Sequence, residues 1–142
     1  MTVIRCNILW ALLSQGNQAW VNFYLTNFTD VQSLTQAINN IGYLNENTNT
    51  TGGLWRMRTE IFNAANGDRS DVQNVAILIT DGNPTWDVDK LPDEVRAIRS
   101  LGIRVIGVGV TNEVSSYYLG LRVSRRLTDY MTNCVLQIQL SR

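Results

Sequence analysis

Histidine is absent from the 142 residues, and lysine occurs once, at Lys90. The first absence excludes histidine acid–base catalysis, Ser–His and Cys–His nucleophile pairs, and histidine-ligated zinc. The second removes the phosphate-gripping lysine of a G-x-x-x-x-G-K-[ST] loop, because no lysine follows any glycine. Cysteine is limited to Cys6 and Cys134, too few and too far apart in sequence for a cysteine-rich metal site. They are either buried free thiols or, in an exported chain, a disulfide near the two ends of the sequence. No apolar run approaches the ~20 residues of a membrane-spanning helix. Formal net charge is zero, so no basic stripe marks nucleic acid as a partner.

What is present is an apolar content of 44% in a chain long enough for one domain with a real core. The opening residues carry Arg5, a short apolar stretch from Ile8 to Leu13 and small residues after it, as a secretion signal does. That stretch is shorter than the usual signal core and follows polar Asn7, which favours a buried strand over 8–13. "WVNFYL" (20–25) predicts an edge strand. From Asp30 as N-cap, Val31, Leu34, Ile38 and Ile41 fall on one helical face, and Gly42 stops the helix. A second helix is expected after the Gly52–Gly53 pair, with Leu54, Met57, Ile61 and Ala65 at helical spacing. "NVAILIT" (74–80) reads as a parallel strand covered on both faces. Pro92, Asp93 and Glu94 open a third helix with Leu91, Val95 and Ile98 on its apolar face and Gly102 past its end. "IRVIGVGV" (103–110) predicts another buried strand, 113–121 a short helix, and "LQIQL" (136–140) an edge strand with one wet face.

Strands alternating with helices indicate an α/β fold with a doubly wound, mostly parallel sheet. Ligands of such sheets bind beyond the carboxyl ends of the strands. Asp81 ends the strand at 74–80, and "NTNTTGG" (47–53) leads into a helix that should start nearby. Mg²⁺ or Mn²⁺ suits the donors on offer: hydroxyls of Thr48 and Thr50 and the Asp81 carboxylate are hard oxygen ligands. Spacing alone favours the plainer alternative, a threonine at a helix start and a D-G turn. A small Mg²⁺-dependent hydrolase or phosphotransfer protein using Asp81 is the rival from another class. The missing histidine, single lysine and absent phosphate loop count against it.

The order of segments, from "NQAWVNFYLTNFTDVQSLTQAINNIGYLNENTNTTGGLW" through "NVAILITDGNP" to "LGIRVIGVGV", resembles the von Willebrand factor type A (vWA) domain. The resemblance is to copies in non-fibrillar collagens and matrilin-like matrix proteins. It runs from about Asn17 to Leu119; with the strand at 8–13, a partial domain spans 8–119. Residues 120–142 are then a divergent segment with a last strand. The resemblance implies a Rossmann-like sheet, a non-enzymatic extracellular adhesion module, and a matrix protein or cell-surface receptor as partner. It also implies a metal-ion-dependent adhesion site whose threonine falls on Thr48 and whose second-loop aspartate falls on Asp81, with Thr50 supporting. The family's D-x-S-x-S strand, which holds the ion most directly, occurs nowhere in this sequence. The site is therefore expected to be incomplete and any Mg²⁺ or Mn²⁺ weakly held. The family places that strand between the segments at 8–13 and 75–79. In its absence those two are expected to pair directly, or to leave buried backbone groups unpaired. Two glycosylation sequons begin at Asn27 and Asn49.

Overall fold

The computed structural model describes residues 8–42, 45–80, 83–109 and 136–138. The chain begins with an antiparallel hairpin, β1 (Leu12–Gln15) and β2 (Ala19–Phe23), registered as Leu13 opposite Val21 and Gln15 opposite Ala19. The strand expected at 8–13 thus lies later, because its register is set by the tight turn in which the Gly16 N–H donates to the Gln18 carbonyl at 2.7 Å. Alternation along β1 sends Ala11 and Leu13 to one face and Leu12 to the other, and both faces are covered.

Helix α1 (Val31–Asn39) starts where the sequence indicates. The Asp30 carboxylate accepts the Ser33 N–H at 2.9 Å as an N-cap. The Ser33 hydroxyl and N–H together hold that carboxyl below its ordinary range. Leu34 is buried with Leu12 and Phe23, while Ile38 and Ile41 pack at the margin. Val31 belongs to the predicted face but, as the first helical residue, is exposed.

Helix α2 (Thr50–Arg56) begins earlier than expected, and the glycine pair lies inside it. Gly53 packs so close to β1 that a Cβ there would sit 2.9 Å from Gln15 Oε1. Glycine here serves close approach between helix and strand, at a cost of about 1 kcal/mol of helix propensity. The helix continues as a π-turn over Met57–Ile61, closed by Phe62 N–H on the Met57 carbonyl at 3.0 Å. Leu54, Met57 and Ile61 are fully buried as predicted, but Ala65 falls in an exposed 3₁₀ turn beyond the helix. Helix α3 (Leu91–Ser100) carries Pro92 in its first turn, buries Leu91 and Ile98, and ends at Gly102, whose φ of +71° suits glycine. Together α2 and α3 close the main core over Leu13, Ala76 and Ile103.

The parallel sheet contains β3 (Val75–Thr80), β4 (Arg104–Gly109) and β5 (Leu136–Ile138), in the order β4-β3-β5. With α2 and α3 on the face that carries Leu13 and Ala76, and α1 on the opposite face of the hairpin, this is the expected α/β architecture. One strand expectation changes. β4 lies at the margin of the described sheet, with Arg104 and Gly109 exposed and only Gly107 fully buried, rather than as a buried strand. In the described sheet "LQIQL" holds an edge position through Leu136–Ile138, which pair with Ala76, Ile77 and Leu78 on the flank of β3 opposite β4. β5 also lies against β1. The position expected to be vacant between the first strand and β3 is therefore occupied from the other end of the sequence, and the two need not pair directly. The predicted helix at 113–121 lies outside the described residues.

One buried ion pair ties the helical layer together. Arg58 Nε and Nη2 donate to the two oxygens of Glu94 at 2.6 and 2.9 Å, joining the π-turn to α3. Glu94 is 8% exposed, and its hydrogen bond raises the Arg58 pKa above the ordinary value. Such a forked pair adds geometric specificity as well as energy. Removing one partner strands a buried charge, whereas replacing both with apolar groups does not. Arg58→Met is expected to lower the unfolding free energy by about 2–3 kcal/mol, and Arg58→Met/Glu94→Leu to recover to within ~1 kcal/mol of the parent. Urea titrations of the three chains check both values.

Candidate functional site

Three segments meet at the end of the sheet where β1 and β3 stop. The first is the β1–β2 turn, the second the loop over 45–49 that enters α2, and the third the loop over 83–87. The Thr48 N–H donates to Thr85 Oγ1 at 3.0 Å. In return the Thr85 N–H donates to the Thr48 carbonyl at 2.9 Å, and its hydroxyl reaches the same carbonyl at 3.3 Å. This reciprocal clasp joins "TNT" to the segment just after "LITDG", as a shared crevice requires. One turn on, Thr51 Oγ1 donates to the Asp87 carbonyl at 3.0 Å. Asp87 sits at φ +49°, a left-handed conformation that aspartate tolerates better than most residues.

The second side of the rim is built from amides. Asn49, not a threonine, caps α2, its Oδ1 accepting the Gly52 N–H at 2.8 Å. Its Nδ2 donates to the Asn17 carbonyl at 3.1 Å, and its backbone N–H to the Gly16 carbonyl at 3.0 Å. Asn47 Nδ2 donates to Asn17 Oδ1 at 2.8 Å, and the Asn17 N–H to Glu46 Oε2 at 2.8 Å. The loop leading to α2 is thereby riveted to the hairpin turn. A glycan on Asn49 would burden an amide already used twice, whereas Asn27 is exposed, its Oδ1 accepting from the Tyr24 N–H.

Of the residues singled out from sequence, Thr48 lies in the clasp, half-buried, and Thr50 is buried in the first turn of α2. Asp81, Cys6 and Cys134 lie outside the described residues. Thr85, Asn17 and Glu46 were not anticipated. Each acts through a contact far along the chain, and only the "NPT" turn sequence at Asn83–Thr85 offered a hint. As donors for a hard cation, Thr48 and Thr50 supply neutral hydroxyls, and no group of three or more histidine, cysteine, aspartate or glutamate side chains gathers among the described residues. Such a set fits Mg²⁺ or Mn²⁺ only with a carboxylate added, and even then leaves the ion largely hydrated.

Beneath the rim lies a polar layer of Ser14, Gln15, Thr50, Thr51 and Thr80, all buried. Ser14 Oγ accepts Asn22 Nδ2 at 2.7 Å. Gln15 is the exception: both polar atoms of its amide are buried without a hydrogen-bond partner. An unsatisfied buried group costs about 1–3 kcal/mol.

A family model for the von Willebrand factor type A domain matches residues 5–122, and the chain belongs to that family. Chicken (Gallus gallus) matrilin-1 is 32% identical over 103 residues, covering 72% of this chain and 20% of that protein. Mus musculus cochlin is 29% identical over 103 residues, covering 72% of this chain and 18% of its own length. The chain thus spans about a fifth of the length of the curated relatives it matches. Among solved structures, proximal thread matrix protein 1 from the mussel byssus superposes with a TM-score of 0.75 at 22% identity, over 91% of this chain and 32% of that one. A form of the same mussel protein has a zinc-occupied MIDAS motif and superposes with a TM-score of 0.71 at 22% identity, over 92% of this chain and 30% of that one.

Two outcomes test this geometry. Thr85→Val keeps the shape but loses the oxygen that receives the Thr48 N–H; the Thr48 amide should then exchange with solvent at least about tenfold faster, equivalent to the ~1.4 kcal/mol upper range of one hydrogen bond, as read by hydrogen-exchange NMR. Gln15→Met removes both orphaned atoms at similar volume and should raise the unfolding free energy by about 1 kcal/mol or more, as read by thermal denaturation.

Proposed function

We propose that this chain is a non-enzymatic vWA interaction module of an extracellular matrix or cell-adhesion protein. Its partner is a matrix protein or a cell-surface receptor, and it is engaged at the rim around Thr48 and Thr85. The observation that carries this reading is the reciprocal Thr48–Thr85 clasp. It brings together the two loops that the family uses for its metal-ion-dependent adhesion site, at the carboxyl end of the strands where such sheets bind ligands. Membership in a family with matrilin and cochlin relatives supports the class of partner and the extracellular setting.

Thr48 and Asp81 are the residues that would hold Mg²⁺ or Mn²⁺, with Thr50 beneath them supporting the loop. The ion would supply a positive charge to which a partner's carboxylate can bind. Among the described residues no group of three or more histidine, cysteine, aspartate or glutamate side chains gathers to hold the ion, and Mg²⁺ gives up its waters reluctantly. Affinity is therefore weak, about millimolar, at the loose end of oxygen-ligand sites.

Isothermal titration with Mn²⁺ is expected to give this weak binding. Fusing a strand bearing D-x-S-x-S upstream should strengthen it, and Asp81→Ala in the fusion should abolish it. Micromolar binding by the unaltered chain would show that other residues complete the shell. Equal, weak binding with and without the added strand would reduce Thr48 and Asp81 to a helix approach and a turn. Phosphate or ester turnover that disappears in Asp81→Ala would overturn the non-enzymatic reading.

A further inference from the structure

The two glycosylation sequons share a pattern and little else. Asn27-Phe28-Thr29 follows β2, where the chain leaves the hairpin by a turn. The Asn27 N–H donates to the Tyr24 carbonyl at 3.1 Å, and Asn27 Oδ1 accepts the Tyr24 N–H at 2.6 Å. Phe28 is half-buried and meets Phe23 edge to face, their ring centroids 5.0 Å apart, while Asn27 and Thr29 on either side are exposed. Thr26 packs so close to Gly67 that a Cβ there would overlap the Thr26 methyl, so the turn also has a firm base. β1 runs toward the rim and the antiparallel β2 runs back from it. The turn at 24–27 therefore lies at the end of the sheet away from Thr48.

Asn49-Thr50-Thr51 is the opposite case. Thr50 and Thr51 are buried in the first turn of α2, and the Thr51 hydroxyl donates to the Asp87 carbonyl at 3.0 Å. Asn49 Nδ2, the atom that a sugar would take, donates to the Asn17 carbonyl at 3.1 Å, while Oδ1 caps α2 through the Gly52 N–H. A sugar on that nitrogen meets the hairpin turn, and making room for it releases the cap and the rivet together. At Asn27 the fold grips Oδ1, which an N-glycosidic bond leaves in place as an acceptor. Where transfer precedes folding, the native contacts still sort the products. A chain modified at Asn49 must fold without its α2 cap, whereas one modified at Asn27 folds as before.

We propose that Asn27 is an N-glycosylation site whose sugar stands at the end of the sheet away from the rim, and that Asn49 stays unmodified in the folded chain. The co-reactant is an oligosaccharide linked through a diphosphate to a lipid. Asn27 Nδ2 forms a bond to the anomeric carbon, and the bond from that carbon to the diphosphate oxygen breaks. The lipid diphosphate leaves with the electron pair, and the displaced amide proton passes to a base of the transferase. This site rests on the extracellular setting proposed above, because that donor is met on the secretory route. A bulky, solubilising sugar on the turn at 24–27 keeps partners from that end. It leaves Thr48 and Thr85 open.

The full chain is expressed in animal cells behind a cleavable secretion signal, beside Asn27→Gln, Thr29→Ala and Thr29→Ser. Protein from the medium and from the secretory membranes of the cells is treated with peptide N-glycosidase in heavy-oxygen water. Each glycosylated asparagine becomes a mass-labelled aspartate, which mass spectrometry maps. The label is expected at Asn27 and not at Asn49. The gel shift released by the glycosidase should vanish in Asn27→Gln and Thr29→Ala and persist in Thr29→Ser, which keeps the sequon. Exchange of the Thr48 amide should be the same before and after the sugar is removed. An unlabelled Asn27, a label at Asn49 equal to that at Asn27 in the secreted chain, or a Thr48 amide altered by the sugar would each overturn the proposal. Because the signal delivers the chain to the transferase whatever its natural location, an unlabelled Asn27 sinks this site and leaves the extracellular reading standing. A natural chain found inside the cell would defeat that reading without altering the map.

Discussion

A strand in the interior of a sheet must give its N–H and C=O groups to a neighbour on each side, because burial removes water as the substitute partner. β3 is under that constraint. It carries the main core through Ala76 and ends at Thr80, immediately before Asp81. On one flank β4 meets it along its full length, and on the other β5 supplies the ladder from far along the chain. With β5 in place, β1 lies next to it, and the hairpin is held near the parallel strands. The positions of α2, of the loop over 45–49 and of the rim all follow from that arrangement.

The rim owes its shape to backbone groups more than to charged side chains. Thr48 and Thr85 hold one another through main-chain and hydroxyl atoms, and the loop entering α2 is bound to the hairpin turn through Asn17, Asn47 and Asn49. Amide and hydroxyl pairs of this kind give directional contacts without the desolvation cost of buried ions. They suit a surface that must keep its form while remaining open to a partner. The buried ion pair of Arg58 and Glu94 lies elsewhere, between the π-turn and α3, where it fixes the helical layer beneath.

The helical elements were largely legible from residue spacing. Asp30 followed by apolar residues at helical intervals marked α1, and Leu91, Ile98 and Gly102 marked the face and end of α3. Periodicity and capping chemistry act within a few residues of one another, so they leave a local trace. The meeting of "TNT" with the segment after "LITDG" was also foreseeable, from the strand order and from the family resemblance. The cap of α2 was not: Asn49 and Thr48 have similar propensity for that role, and the contact of Asn49 with Asn17 favours one over the other. Gly52 and Gly53 looked like a break before a helix because their reason for being there, the closeness of β1, lies outside their own segment.

By itself the sequence determined the α/β class, the approximate places of three helices and five strands, and the loop that carries Thr48. Each of these rests on local periodicity, turn chemistry or a family pattern. Only the tertiary structure decided that Leu136–Ile138 sits beside β3 and against β1, that Thr85 clasps Thr48, that Glu94 pairs with Arg58, and that Gln15 is buried with no partner. These outcomes depend on which segments compete for one space. A ladder position left open is filled by whichever strand the chain can deliver to it, and alternation within "LQIQL" does not encode which neighbour that will be.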